Sequence, residues 1–232
     1  MLSYADLSPR SAARKTGSKS SLVYDELRAA IIALKLQPGA QIDKSEVCER
    51  LGVSRQPLSE ALSRLAEERL VTVEPQKGTY VTRIRMSDVA EAAFLREALE
   101  VATVRQLARD IDQETIDRLR LLVRYQAAAV AAGDFEEFYA LDLRFHATLF
   151  GRLAFRRVAE AVEAARAQTE RMRRLLLKPS RNEETIAEHN AILDALAARD
   201  PDGAAKAMHI HLGNVLQELH QFAAERPDLF EP

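Results

Sequence analysis

In Leu141-Asp142-Leu143-Arg144-Phe145-His146 a carboxylate and an imidazole stand four residues apart, which stacks them on one face of a helix. Phe135, Phe138, Phe145 and Leu149 fall on the same face. An ionised carboxylate among aromatic rings is costly unless it is paired, hydrogen-bonded or bound to a cation. A metal ion shared with His146 meets that cost, and so does an Asp-His hydrogen bond within the core. His189 lies in Thr185-Ile186-Ala187-Glu188-His189-Asn190-Ala191-Ile192-Leu193, in register with Ile186, Ile192, Leu193 and Leu196, so it too points inward. Near the end of the chain, His209 and His211 flank the stripe Met208, Leu212, Val215 and Leu219. At about 100° per residue they occupy opposite edges of it, and periodicity does not choose between them. A set of imidazoles and a carboxylate with no thiolate admits Zn, Ni, Mn, Co or Fe(II) and argues against a structural cysteine-type zinc site.

The elements that must carry these groups are helices. From Ser87 onward the chain shows helical periodicity with Gly and Pro confined to boundaries, and six helices are expected over 87–110, 113–132, 134–150, 154–177, 181–199 and 201–221. The breaks fall at Asp112, Gly133, Gly151, Pro179 and Asp200-Pro201. Faces rich in Leu, Val and Ala are buried most economically in an antiparallel bundle.

The first third of the chain has a different character. Val23, Leu27, Ile31 and Leu34 repeat at helical spacing until Gln37-Pro38-Gly39, and Asp43-Lys44-Ser45-Glu46 opens a short second helix with the capping-box pattern. Val47, Cys48 and Leu51 supply its inner face, and Gly52 suits the left-handed residue just beyond its end. Ser54 is placed to cap a third helix, with Pro57 in the first turn where its missing N–H costs no intrahelical bond. Arg55 and Gln56 are left at the exposed tip, the side-chain types that pair with guanine O6/N7 and adenine N6/N7 in a major groove. Two β-rich runs, 70–74 and 79–82, joined through Pro75-Gln76-Lys77-Gly78, complete a winged helix-turn-helix whose Lys77 and Gly78 can press against phosphate.

Residues from about Leu22 to Arg85 resemble the DNA-binding domain of the GntR superfamily of bacterial transcription factors. The resemblance rests on Leu51-Gly52-Val53-Ser54-Arg55, on Glu60-Ala61-Leu62 with Leu65, and on the wing Lys77-Gly78-Thr79-Tyr80-Val81. Where the family usually has Arg early in the second helix and again in the recognition helix, this chain has Ser45 and Ser59. Base reading is therefore expected to lean on Arg55 and Gln56, with Ser54, Ser59, Lys77 and Gly78 beside them and Arg64 as a phosphate contact or surface charge.

The remainder is similar to the FCD effector domain of the FadR-like GntR subgroup, and six helices rather than seven place it nearer the VanR-type branch. Leu141 to His146, Glu188-His189 with Ile192, and Ala207-Met208 through His211-Leu212 match that domain's Asp, His, His, His pattern in order. The resemblance thus selects His211 and implies a divalent transition metal held by Asp142, His146, His189 and His211, with His209 and His220 at the surface or rim. It also implies that Arg96, in Phe94-Leu95-Arg96-Glu97-Ala98-Leu99-Glu100, binds a small carboxylate effector docked at the metal. The expected protein is a homodimeric repressor on a near-palindromic operator, its affinity modulated by that effector. A direct metal sensor is the nearest alternative reading. A metal-dependent helical-bundle enzyme is disfavoured, because nothing nearby resembles a dedicated nucleophile or a Glu-x-x-His repeat.

Composition sets the wider bounds. The chain has 232 residues, 47% of them hydrophobic and 29% charged, enough for a substantial core and two domains. Residues 1 to 85 hold 14 Lys and Arg against 10 Asp and Glu, and the rest hold 19 against 25: a modestly basic head on an acidic body. The expected division is a disordered basic arm over 1–20, a DNA-binding domain over 21–85 and an all-helical domain over 86–232. The arm lacks the apolar run of a secretory signal, no stretch approaches the roughly 18 apolar residues of a membrane span, and one cysteine forms no internal disulfide. A cytoplasmic protein is expected, with Cys48 a buried structural thiol.

Overall fold

The computed structural model describes residues 18–152, 155–176, 179–226 and 230–231. The chain divides into two compact units. Among the described residues, one draws on those up to Asp88 together with Glu170–Leu175 and those from Arg226 onward; the other comprises those within Val89–Thr169 and Leu176–Glu225.

The first unit opens with α1 (Lys19–Ile32), capped by Ser18, whose hydroxyl accepts from Ser21 N–H. Residues 18 to 20 are thus the start of a helix, which corrects the expected extent of the arm; residues 1–17 lie outside the described residues. Helix α2 (Lys44–Leu51) begins at Asp43, whose carboxylate accepts from the N–H groups of Ser45 and Glu46 at 2.8 and 3.0 Å. It ends at Gly52, which sits at φ 63°, where a side chain would be strained. Helix α3 (Arg55–Glu67) follows two residues later, packing Leu58, Ala61, Leu62 and Leu65 inward. Ser54 has the extended backbone of a capping residue, yet its side chain makes no capping hydrogen bond, so its expected role is filled by backbone geometry alone.

The wing is an antiparallel hairpin of β1 (Val71–Glu74) and β2 (Gly78–Val81), in register from Val71 opposite Val81 to Glu74 opposite Gly78. The loop before α2 lies along β2: Gly39 N–H donates to Val81 O, Val81 N–H to Ala40 O and Ile42 N–H to Thr79 O, each at 2.8 Å. A short strand β3 (Ile84–Arg85) pairs in parallel with β4 (Phe230–Glu231), which no sequence periodicity announced. Cys48 is only half-buried, a correction to the expected core thiol: Val47 beside it takes the innermost position.

The helical unit consists of α4 (Met86–Leu107), α5 (Gln113–Ala131), α6 (Phe135–Gly151), α7 (Arg156–Leu176), α8 (Pro179–Ala197) and α9 (Pro201–Glu225), with the first residues of α4 and a segment near the end of α7 belonging to the other unit. The six expected helices are all present among the described residues. Their starts are set by short acidic caps: Asp112 accepts from Thr115 N–H, Asp134 from Glu137 N–H and Asp200 from Gly203 N–H. Helices α5 and α6, α8 and α9, and α5 and α8 pack together around Leu119, Val123, Phe138, Phe145, Leu149, Ile192, Leu196 and Met208. Each such fully buried side chain contributes about 1.5 to 3 kcal/mol, which fixes the helices that carry the polar groups described next. Among the described residues no helix is long and apolar enough to cross a membrane.

Candidate metal and effector centre

Helix α6 turns Asp142 and His146 to the same buried face as Phe138, Phe145 and Leu149, α8 supplies His189 and α9 supplies His211. One ligand atom from each of the three imidazoles can be chosen so that all lie within 4.8 Å of one another. The rings are fixed by their other nitrogens. His146 Nδ1 donates to Glu100 Oε2 at 2.9 Å, His189 Nδ1 to Gln126 Oε1 at 2.9 Å and His211 Nδ1 to Glu188 Oε2 at 2.7 Å. An acceptor on Nδ1 selects the tautomer that keeps the Nε2 lone pair, the arrangement second-shell partners impose on metal-binding histidines. Phe145 stacks on His189 with ring centres 4.1 Å apart and holds that ring flat.

His211 is 1% exposed in its side chain, whereas His209 is 61% exposed and donates to Glu97 on the surface. The ambiguity between the two edges of α9 is thereby resolved in space, and His220 is exposed as expected.

Asp142 lies at the edge of the triad. Its Oδ2 accepts from Arg166 Nη2 at 2.8 Å and its Oδ1 stands 3.5 Å from His189 Nε2. Arg96, expected to face an effector, is buried: its Nε donates to Glu100 Oε1 at 2.7 Å and its Nη1 to Thr169 Oγ1 at 3.1 Å. Arg96 also lines a small pocket with Leu212, Val215 and Leu219.

Electrostatics keeps His146 and His211 neutral. Burial pushes His146 down to about 3, with the Arg166 charge adding to the effect and Glu100 opposing it. Burial also lowers His211 against the pull of Glu188. Burial alone would raise Glu100, but Arg96 and His146 outweigh it and hold the carboxyl well below its usual range. Glu188 likewise resists burial and falls to about 2, through hydrogen bonds from His211, Arg181 and Asn214. Neutral imidazoles beside an ionised carboxylate are the protonation state that ligates a cation. His146 Nε2 is buried with no hydrogen-bond partner among the described residues, a cost a bound ion would remove. The donor set therefore fits a first-row divalent ion, held by the three histidines with Asp142 beside them.

Sequence reasoning gave the inward histidines and Asp142 but not Gln126, Arg166 or the part Glu100 plays in holding His146. A signal existed: Gln126 falls in register with Leu119, Leu122 and Val123, and Arg166 with Val162 and Ala165, so each is a polar residue at a core position.

On the first unit, Ser54, Arg55, Gln56, Ser59 and Lys77 are exposed, with Gly78 half-buried at the turn. Gln56 lies 3.4 Å from Glu60 and Lys77 3.3 Å from Glu74, contacts that exposed side chains exchange readily for others. Arg64 is exposed on α3, and its guanidinium sits 3.7 Å above the Tyr24 ring of α1.

A wing, an exposed recognition-helix tip and a helical unit with a polar interior define a DNA-binding regulator that carries its own sensor. The chain matches the model described as bacterial regulatory proteins, gntR family, over residues 19–81 and the FCD domain over residues 91–214. It is 36% identical over 210 residues to an uncharacterized HTH-type transcriptional regulator of Streptomyces ambofaciens, covering 90% of this chain and 88% of the relative. It is 32% identical over 209 residues to the HTH-type transcriptional repressor RspR of Escherichia coli K12, covering 90% and 92%. The solved structure of E. coli McbR/YncC superposes with a TM-score of 0.80 over 89% of this chain and 99% of that one, at 22% identity. The chain belongs to the GntR family of transcriptional regulators with an FCD effector domain and is not an enzyme.

Proposed function

We propose that this regulator is a cytoplasmic repressor that binds a near-palindromic operator as a homodimer and changes operator affinity when a small carboxylate docks at a divalent-metal centre of the helical domain. The observation that carries the reading is the triad His146, His189 and His211, each held through Nδ1 by a different partner and with one ligand atom from each ring within 4.8 Å of the others. The three histidines and Asp142 are assigned to the ion, which would offer a Lewis-acidic anchor for an anionic effector. Arg96 is assigned to the effector and Arg55 and Gln56 to base edges, with Ser54, Ser59, Lys77 and Gly78 against the backbone. The E. coli relative is a repressor, and this favours repression as the sign.

The effector must bind the two states of the protein unequally, by a coupling of about 1 to 3 kcal/mol, if it is to move operator occupancy. Fluorescence anisotropy with an operator duplex tests this on chelator-stripped protein, on protein with Zn²⁺ alone, and on Zn²⁺ protein with a panel of small carboxylates. The reading expects the carboxylate to shift affinity five- to hundredfold at constant Zn²⁺, an expectation scaled to that coupling. An affinity that follows Zn²⁺ alone would make the ion itself the signal, and indifference to every bound carboxylate would refute the effector.

A further inference from the structure

Arg166 is 3% exposed in its side chain, sits on α7 and donates through Nη2 to the carboxylate expected to serve the ion, while its Nη1 is buried with no hydrogen-bond partner among the described residues. Six charged side chains crowd the triad: Asp142, Glu100 and Glu188 are anionic, Arg96, Arg166 and Arg181 cationic, and none is more than 11% exposed. With neutral imidazoles their formal charges cancel. A divalent cation placed beside them adds two buried positive charges, which a low-dielectric interior does not tolerate uncompensated. It also competes for the oxygens of Asp142 that Arg166 now engages.

We propose that Arg166 links cation binding to anion binding: in the ion-free chain it neutralises Asp142, and it yields that carboxylate to a divalent cation, leaving its guanidinium as a dock for a small dianion. This rests on the reading of the triad as a cation site and adds to it a residue and a charge preference. Two negative charges restore the neutrality of the site, whereas one leaves an excess positive charge. The planar fork of Arg166, with one arm already lacking a partner, suits a carboxylate better than a spherical ion. Dicarboxylates are therefore preferred over monocarboxylates of the same length.

Calorimetric titration of the full chain with Zn²⁺ tests the proposal in three buffers: no added anion, succinate, and butyrate. For the unaltered protein, succinate is expected to tighten Zn²⁺ binding at least about tenfold and butyrate less than about threefold. For Arg166→Met the succinate effect should vanish, and Zn²⁺ binding without anion should be no weaker than in the unaltered protein, because no ion pair has to be broken. Retention of the succinate effect in Arg166→Met, or its absence from a parent protein that binds Zn²⁺, overturns the role of Arg166 and leaves the cation site standing. Failure of the parent to bind Zn²⁺ or any other first-row divalent ion removes the site itself. A crystal structure with Zn²⁺ and succinate needs no variant: Arg166 should contact succinate, and an Arg166 still paired with Asp142 contradicts the exchange.

Discussion

The ion-free helical domain should lose stability as pH falls from about 7.5 to about 5, and His146 should account for a measurable share of the loss. The ring is buried, its Nδ1 is committed to Glu100, and its folded value lies near 3 against an ordinary 6.5. Between those values the unfolded chain takes up a proton that the folded chain refuses, so stability decreases as pH decreases through this window. At about 1.4 kcal/mol per unit, the fall from pH 7.5 to 5 costs ~2 kcal/mol from this one ring. His211 is shifted in the same direction and adds to it. The carboxylates do not confuse the measurement: Glu188, depressed to about 2 from an ordinary 4.5, contributes stability that is complete above the ordinary value and is lost only as pH falls toward 2.

Urea denaturation followed by circular dichroism, in chelator at several pH values above about 4.5, gives the dependence for the parent and for His146→Gln. The amide can still donate to Glu100 but has no proton to gain. The pH dependence of the variant should be shallower by ~2 kcal/mol across the window. Parallel curves for the two proteins would mean that His146 is protonated in the fold, and the neutral-ligand reading would fall with it. Saturating Zn²⁺ should raise stability by about 2.7 kcal/mol at a hundredfold excess over its dissociation constant, by nearly the same amount across this window because the folded His146 has no proton to displace there.

Gln126→Leu removes the acceptor that orients His189 and should weaken Zn²⁺ affinity about ten- to hundredfold by calorimetry with little loss of helicity; an unchanged affinity would show that Phe145 stacking alone sets the ring. Phe145→Ala opens a cavity at a fully buried position and should cost about 3 to 5 kcal/mol in urea denaturation. Arg55→Ala should cost about 1 to 3 kcal/mol in operator binding and relax base preference in a footprint, whereas Lys77→Ala should weaken all sequences alike and lower the salt dependence by about one. Arg64→Ala is expected to register in thermal stability through the lost Tyr24 contact rather than in sequence preference.

Features encoded locally were legible in the sequence. The caps Asp43, Asp112, Asp134 and Asp200 act on N–H groups two or three residues away, so the starts of their helices could be read directly. Burial of His146 and His189 followed from their register with apolar neighbours on one helix. The partners that give those rings a function were harder to read, because Glu100, Gln126 and Glu188 reach His146, His189 and His211 across 46, 63 and 23 residues of chain. Arg64 over Tyr24 and the pairing of Ile84 with Phe230 escaped for the same reason. A two-residue strand has no periodicity to detect, and a cation over a ring is visible only once α1 and α3 are packed.

Those long-range partners also explain why this polar interior suits sensing rather than catalysis. A hydrolytic metal centre needs a base near its water with a proton affinity matched to the working pH. Here the nearby carboxylates are engaged by cations or imidazoles: Glu100 accepts from Arg96 and His146, Glu188 from His211, Arg181 and Asn214, and Asp142 from Arg166. Glu100 and Glu188 are in consequence held far below neutrality and are poor proton acceptors. The same interactions serve a binding site well, since they fix charges and tautomers before any ligand arrives and spare part of the ordering cost on binding. A centre so arranged discriminates ligands by charge and shape, and the partner exchange proposed for Arg166 would let their arrival be felt along α7.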